Sequence, residues 1–206
     1  FDEARDVLDI GCGRGEFVEL LVSRGIPARG LDLNHEMVAI CRARGLDVEE
    51  IDALSYLRQQ PDGALGGLFA AQVVEHLQPD YLLALLDQAQ RVLRPGSRVV
   101  LETINVASVT AFFESYIRDI THARPLHPDT LRYLVVASGF DEVAIRYSAP
   151  IAPANRLQPA PRVLRSVPGE AHDALVELAD AIDGNIERLN RLIFADMDYA
   201  VVARRP

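Results

Sequence analysis

The sequence predicts an α/β domain, an open and mostly parallel sheet with helices on both faces. Three observations lead there. Short apolar runs alternate with stretches of helical period along most of the 206 residues, the pattern of successive β–α–β units. The run 65–74 is apolar on both faces, as a central parallel strand buried under two helical layers must be. Val7-Leu8-Asp9-Ile10 passes into Gly11-Cys12-Gly13-Arg14-Gly15 and then into a helical pattern from Glu16. Strand, glycine loop and helix in that order bring backbone N–H groups close to a ligand.

The helix after Gly15 carries Phe17, Val18, Leu20, Leu21 and Val22 and stops near Gly25, the residue type favoured just past a helix end. A second strand spans 28–33, followed by a helix over 35–44. A short third strand at 47–51 leads through Asp52-Ala53 into a helix reaching Leu57. Pro61-Asp62-Gly63 turns the chain into the fourth strand, 65–74. Pro79 opens a long helix to about Leu93, with Leu82, Leu83, Leu85, Leu86, Ala89 and Val92 toward the sheet, and Arg94-Pro95-Gly96 ends it. The fifth strand covers 99–104, with Asn105 just past its end.

The helix 111–118 clusters Phe112, Phe113 and Tyr116; the polar stretch 119–128, with two prolines, reads as a fixed loop. A helix then runs from Pro128 to Gly139 and a strand over 140–147. Residues 148–170, rich in proline and arginine without a period, form an extended connection. In the long helix 171–194, Leu175, Leu178, Ile182, Ile186, Leu189 and Ile193 recur every three or four residues. Such a seam either pairs with another chain or another domain, giving an oligomer or a larger assembly, or packs on its own domain. A last strand, 198–204, returns to the sheet. All of this makes one domain over 1–206, with its core sheet and helices in 1–147. The chain starts at Phe1 directly before the first strand, which reads as a trimmed piece lacking a helix ahead of the sheet.

Composition narrows the chemistry. A net charge of −9 speaks against a free nucleic-acid partner, and no apolar run is long enough to span a membrane. Two cysteines, one of them inside the glycine loop, suggest no disulfide framework and hence a reducing cytoplasm. There is no lysine; all 21 basic residues are arginine. That removes a Walker-type phosphate loop, a Schiff-base lysine and the Tyr-x-x-x-Lys pair of short-chain dehydrogenases. Histidine, carboxylate, tyrosine or a metal must do the work.

A dinucleotide fingerprint, G-x-G-x-x-G, fails at its third position, which is Glu16; a carboxylate there opposes a pyrophosphate at the helix entry. A nicotinamide enzyme is disfavoured on that ground. A tight turn with no ligand also fits the loop taken alone. The pattern actually present is Asp9-x-Gly11-x-Gly13-x-Gly15. It resembles motif I of class I S-adenosylmethionine-dependent methyltransferases, whose cofactor carries no phosphate. The resemblance implies a Rossmann-like seven-stranded sheet with the last strand antiparallel.

It also implies a cofactor site of Asp9, Gly11, Cys12, Gly13, Arg14, Gly15 and Phe17, then Asp32 and Leu33 at the second strand end, Asp52 and Ala53 at the third, and Gln72 at the fourth. Asp32 would hold the ribose hydroxyls and Asp52 the adenine amino group. Each acid could also cap the helix that follows it, and for Asp32 the two roles can coexist.

A closer similarity is to methyltransferases associated with O-antigen and cell-surface polysaccharide synthesis. It is carried by Leu101-Glu102-Thr103-Ile104-Asn105, by 119–122 with 124–128, and by 189–194 with 198–201. It implies O-methylation of a saccharide hydroxyl. Ubiquinone-type O-methyltransferases are similar too, through the Thr-Ile-Asn strand end and a later Thr-His, and imply a phenolic or quinone-type acceptor. A non-catalytic cofactor-binding module of a polysaccharide assembly is the alternative from another class.

Four candidate groups fall at the working edge of the sheet: Glu75, His76, His122 and His127. His76 could merely cap the helix at Pro79, and His127 could merely shape the turn before Pro128. In some relatives of the ubiquinone and small-RNA-terminus types, a Glu-x-x-Glu-His segment and a later histidine hold a divalent ion. The matching residues here are Gln72, Glu75, His76 and His122, with a neutral amide in place of the first carboxylate. The ion implied is magnesium or manganese. Without a metal, His122 or His76 would be the general base and Asp119 an orienting partner.

Overall fold

The computed structural model describes residues 5–206; what the sequence suggested about the start at Phe1 lies outside them. The strands are β1 (Val7–Ile10), β2 (Ala28–Asp32), β3 (Val48–Glu50), β4 (Leu65–Ala71), β5 (Leu93–Ile104), β6 (Asp141–Ser148) and β7 (Asp198–Arg204). They form one seven-stranded sheet in the order β3-β2-β1-β4-β5-β7-β6. β1 to β5 pair in parallel, and β7 slots between β5 and β6, antiparallel to both. Chain order reverses between β1 and β4. Ligands in open α/β sheets bind at such a reversal, beyond the C-terminal strand ends.

The helices are α1 (Glu16–Ser23), α2 (His35–Ala43), α3 (Ala53–Gln59), α4 (Pro79–Val92), α5 (Val109–Glu114), α6 (Pro128–Ala137) and α7 (His172–Ile193). Two layers sandwich the sheet. The larger core joins Leu8, Ile10, Leu68, Leu101 and Val201 to Leu57 of α3, Leu82, Leu85 and Leu86 of α4, and Leu131 and Val135 of α6. On the other face Val18 packs with Val38 and Cys41, and Leu21 with Val7 and Ile26. Burying a leucine- or valine-sized side chain stabilises by about 1.5–3 kcal/mol, so these two layers supply most of the driving force. Among the described residues no helix is long and apolar enough to cross a membrane.

Several element boundaries differ from those expected. β4 stops at Ala71 rather than 74, because Gln72 takes φ 55° and turns the chain into a single 3₁₀ turn, Val74–His76. β5 begins at Leu93 instead of 99: Leu65 pairs with Leu93 and Gly67 with Arg98, so the Pro-Gly stretch is carried along the strand as an irregularity. The helix expected at 111–118 breaks at Ser115 into α5 and a 3₁₀ turn, Tyr116–Arg118. Leu83 is 43% exposed and does not face the sheet.

The connection after β6 contains two short 3₁₀ turns, Pro153–Asn155 and Arg162–Arg165. Arg165 ties it to α7 through Asp180 and Asp183, both at 2.7 Å. α7 buries only Ala179 fully; Leu178, Leu189 and Leu192 stay exposed. Its C-terminal carbonyls are taken up from outside the helix, with the Thr110 hydroxyl donating to the Ile193 carbonyl at 2.6 Å.

Candidate active site

The glycine loop is built for close approach. Gly11 has φ 69°, and a Cβ there would sit 2.5 Å from Val73 Cγ2; only glycine serves both demands. Gly30 of β2 leaves room underneath, where a Cβ would meet Cys12 Sγ at 2.5 Å. The loop is pinned by Asp32. Its Oδ2 accepts from the Gly13 N–H at 2.8 Å and its Oδ1 from the Asn34 N–H at 2.8 Å. The cap of α2 is Asn34, which accepts from Glu36 and Met37, so Asp32 is not the helix cap.

Cys12 is buried with its side chain turned away from the crevice, and burial pushes its thiol and that of Cys41 up. Arg14 is exposed and paired with Glu16 at 3.1 Å. Phe17 packs on Phe69 with ring centroids 4.0 Å apart. Asp9 is 3% exposed; burial first, then Asp32 and Glu16, raise its carboxyl to about 7.

Beside the loop lies a cavity of about 330 Å³ lined by Ile10, Gly11, Leu31, Asp32, Leu33, Ile51, Asp52, Ala53, Val73, Leu77, Tyr81 and Leu85. Its walls are aliphatic, and Asp32 and Asp52 come from different strand ends. A flat heteroaromatic group with polar ends suits such a slot. Asp52 does cap α3, accepting from the Ser55 N–H at 2.8 Å, and its Oδ2 also accepts from the Tyr81 hydroxyl at 2.5 Å. Burial opposes the Asp52 charge, but these two donors outweigh it and hold the carboxyl below its usual range. The Tyr81 hydroxyl, pushed up to about 12 by burial and by Asp52, accepts in turn from the Leu54 N–H. Tyr81 escaped the sequence reading; its only signal was a hydroxyl on the inward face of an otherwise aliphatic helix.

A second group gathers at the end of β4. One ligand atom each from Glu75, His76 and His122 lie within 4.8 Å of one another. The 3₁₀ turn drives Glu75 into the interior, where it is 1% exposed and neither carboxylate oxygen has a hydrogen-bond partner of good geometry. Burial raises its carboxyl; Thr103 and the two imidazoles offset that only in part. The loop 119–127 is fastened over the turn by the Ala123 N–H, which donates to the Glu75 carbonyl at 2.8 Å.

Both imidazoles have their Nδ1 occupied. His122 Nδ1 lies 2.6 Å from the Tyr116 carbonyl, which can only accept, so this nitrogen carries the proton. The ring also stacks on Tyr116 at 4.7 Å. His76 Nδ1 lies 3.0 Å from the Thr121 hydroxyl, whose own proton goes to Asp119 Oδ1 at 2.6 Å. His76 Nδ1 must therefore donate, leaving Nε2 of both rings as lone-pair acceptors.

His127 stands apart from this group. It caps α6, its Nδ1 accepting from the Asp129 N–H at 3.2 Å. Gln72 points elsewhere as well, its amide donating to Asp198 Oδ1 at 3.2 Å. For a divalent cation the donor set is one carboxylate and two imidazole nitrogens, the last two each backed by an oxygen acceptor behind Nδ1. The orphaned Glu75 oxygens and this backing fit a metal. Mixed oxygen and nitrogen donors suit manganese, iron or zinc better than magnesium.

Fold and site together define an α/β protein with a cofactor crevice at the sheet reversal and an acid–histidine cluster beside it. A family model described as a methyltransferase domain matches residues 1–145. The chain belongs to that methyltransferase domain family. A crystal structure of an S-adenosylmethionine-dependent methyltransferase from Archaeoglobus fulgidus is similar at 36% identity and a TM-score of 0.89, covering 99% of this chain and 87% of that one. A probable S-adenosylmethionine-dependent methyltransferase of Mycobacterium tuberculosis is 30% identical over 142 residues, 69% of this chain and 51% of its own. A ubiquinone biosynthesis O-methyltransferase of Xylella fastidiosa is 31% identical over 104 residues, 48% of this chain and 42% of its own. The chain thus spans about half the length of the curated relatives it matches.

Proposed function

We propose that the chain transfers the methyl group of S-adenosylmethionine to a hydroxyl oxygen, with a saccharide as the acceptor. The observation that carries the O-methyl reading is the Glu75, His76 and His122 group, set at the same strand edge as the glycine loop and the aliphatic cavity. The sulfonium donor is already activated, so the protein's task is alignment and proton removal. A sugar hydroxyl loses its proton far above neutral pH and needs a base. His122 or His76 Nε2 takes that proton as the oxygen attacks the methyl carbon, and the carbon–sulfur bond breaks to leave the neutral thioether. Buried Glu75 then faces an imidazolium and stabilises it, which is the work an unpaired buried carboxylate can do. A divalent ion held by Glu75, His76 and His122 would supply the same activation by lowering the pKa of a bound hydroxyl.

The saccharide acceptor rests on the similarity of segments 101–105 and 119–128 to polysaccharide-associated enzymes. The Xylella relative favours a phenolic acceptor instead. Release of S-adenosylhomocysteine is to be measured against a panel of glycans and catechols, with and without chelator. Turnover on a glycan, lost in both Glu75→Ala and His122→Ala, is the expected result. Turnover on catechols alone would move the acceptor to the phenolic class. Chelator sensitivity reversed by manganese would assign the activation to an ion. Undiminished activity in both variants would overturn the role of the cluster.

A further inference from the structure

We propose that Asp119 and Thr121 are positioning residues, a two-member relay that fixes the tautomer and aim of His76. This rests on the reading of His76 Nε2 as an acceptor inside the Glu75 and His122 group. The polar stretch after Tyr116 was expected to be a rigid loop with Asp119 as an orienting partner; Thr121 was not foreseen, and the hydrogen bonds through it run in one direction. Asp119 Oδ1 accepts twice from Thr121, from the N–H at 2.8 Å and from the hydroxyl at 2.6 Å. A carboxylate has no proton to give, so the hydroxyl's single hydrogen is spent. What remains on Thr121 Oγ1 is lone pairs, 3.0 Å from His76 Nδ1. The imidazole must meet them with N–H, and the other nitrogen is thereby left bare.

The second histidine reaches the same state by a different route. His122 gives its Nδ1 hydrogen to a backbone carbonyl, which no side-chain change can remove. His76 depends on a side chain. Its ring would be free to flip or to change tautomer if Thr121 lost its oxygen, whereas His122 would not. The Asp119-x-Thr121 pair is therefore the adjustable support of the site. The shared carboxylate makes its direction one-way: without Asp119, the Thr121 hydroxyl could donate to His76 and place the hydrogen on the wrong nitrogen. For metal-binding histidines the outer partner commonly controls about 10- to 100-fold in activity or affinity, and the same scale is taken for His76.

The test is the full chain with ¹⁵N-labelled histidine, using Thr121→Val, Thr121→Ser and Asp119→Ala. Long-range nitrogen–proton NMR reads the tautomer of each ring, and calorimetry with S-adenosylmethionine reports whether the fold is intact. The expected result is Nδ1–H on His76 in the natural chain and in Thr121→Ser, and a shift toward Nε2–H in Thr121→Val and Asp119→Ala, with cofactor affinity kept. His122 stays unmoved in Thr121→Val, the variant that spares Asp119 Oδ2 at 4.0 Å from His122 Nε2. With an acceptor in hand, kcat should fall by about 10- to 100-fold in Thr121→Val with KM for the cofactor unchanged, and Thr121→Ser should restore it. Retention of Nδ1–H on His76 in Thr121→Val would overturn the relay, as would equal disturbance of both rings in that variant. If His76→Ala leaves turnover intact, the role given to His76 fails, while the tautomer measurement still decides the relay.

Discussion

Replacing Asp9 by asparagine should make the protein more stable, and more so as the pH rises. Asp9 lies within β1 with 3% of its surface exposed and is raised by burial, Asp32 and Glu16 from an ordinary 3.8 to about 7. The folded protein therefore holds this proton more tightly than the unfolded chain does. Between the two values the folded state binds more protons, so stability falls as pH increases and levels off above about 7. Over roughly three pH units at about 1.4 kcal/mol each, the ceiling is about 4 kcal/mol. Asparagine keeps the shape and has no such cost. The gap between Asp9→Asn and the natural chain should widen by about 2.5 kcal/mol from pH 5 to pH 8. Urea unfolding followed by circular dichroism, without cofactor, measures it at each pH. A gap that stays constant across that range, or narrows, would refute the reasoning. A cationic ligand at the glycine loop should draw the proton off and shrink the gap at pH 6.

Asp32→Ala removes an acceptor for the Gly13 and Asn34 N–H groups. It should weaken S-adenosylmethionine binding by on the order of 1.5–3 kcal/mol in calorimetry; NADH binding in the natural chain would contradict the cofactor assignment. Tyr81→Phe takes a donor from Asp52 and an acceptor from the Leu54 N–H, and should weaken binding of the adenine end by about 1 kcal/mol beyond a similar loss of stability. Equal loss for S-adenosylmethionine and free methionine would argue against that role. For α7, light scattering should show an assembly broken by Ile182→Asp with Leu189→Asp; a natural chain that is monomeric at all concentrations would leave its exposed leucines as ordinary surface.

The parts of the fold that could be read in the sequence are those governed by local pattern. Strand β1, the loop through Gly15 and α1 follow from apolar period and glycine placement, and so does the C-terminal stop at Gly25. The end of β4 was misjudged because Val73 and Val74 are as apolar as the strand before them, while the positive φ of Gln72 is imposed by its setting. The irregular start of β5 depends on pairing with Leu65, a partner 28 residues away. Within the site, Asp32 and the Glu75-His76 pair were visible as polar residues at strand ends. Their partners were not. Tyr81 reaches Asp52 and Thr121 reaches His76 only through space, across 29 and 45 residues. His127 illustrates the converse: a histidine near the others in sequence proves to serve a helix end.

The seating of β7 between β5 and β6 has a consequence for biosynthesis. β1 to β5 hydrogen-bond in parallel among themselves within the first 104 residues, so the crevice around Gly11 and Asp32 can close while the rest of the chain is still being translated. Neither β5 nor β6 has its lasting neighbour on that side until residues 198–204 leave the ribosome. The Asn105 amide, which donates to the Asp196 carbonyl, and the Tyr199 hydroxyl, which donates to the Leu126 carbonyl, wait for the same segment. The loop carrying Thr121 and His122 is thus braced by a stretch made well after it. Closing so long a loop is slow. A nascent chain stalled before Asp198 should hold the methyl donor yet present no finished floor beneath the acceptor, and its exposed β5 edge is where a chaperone would find it.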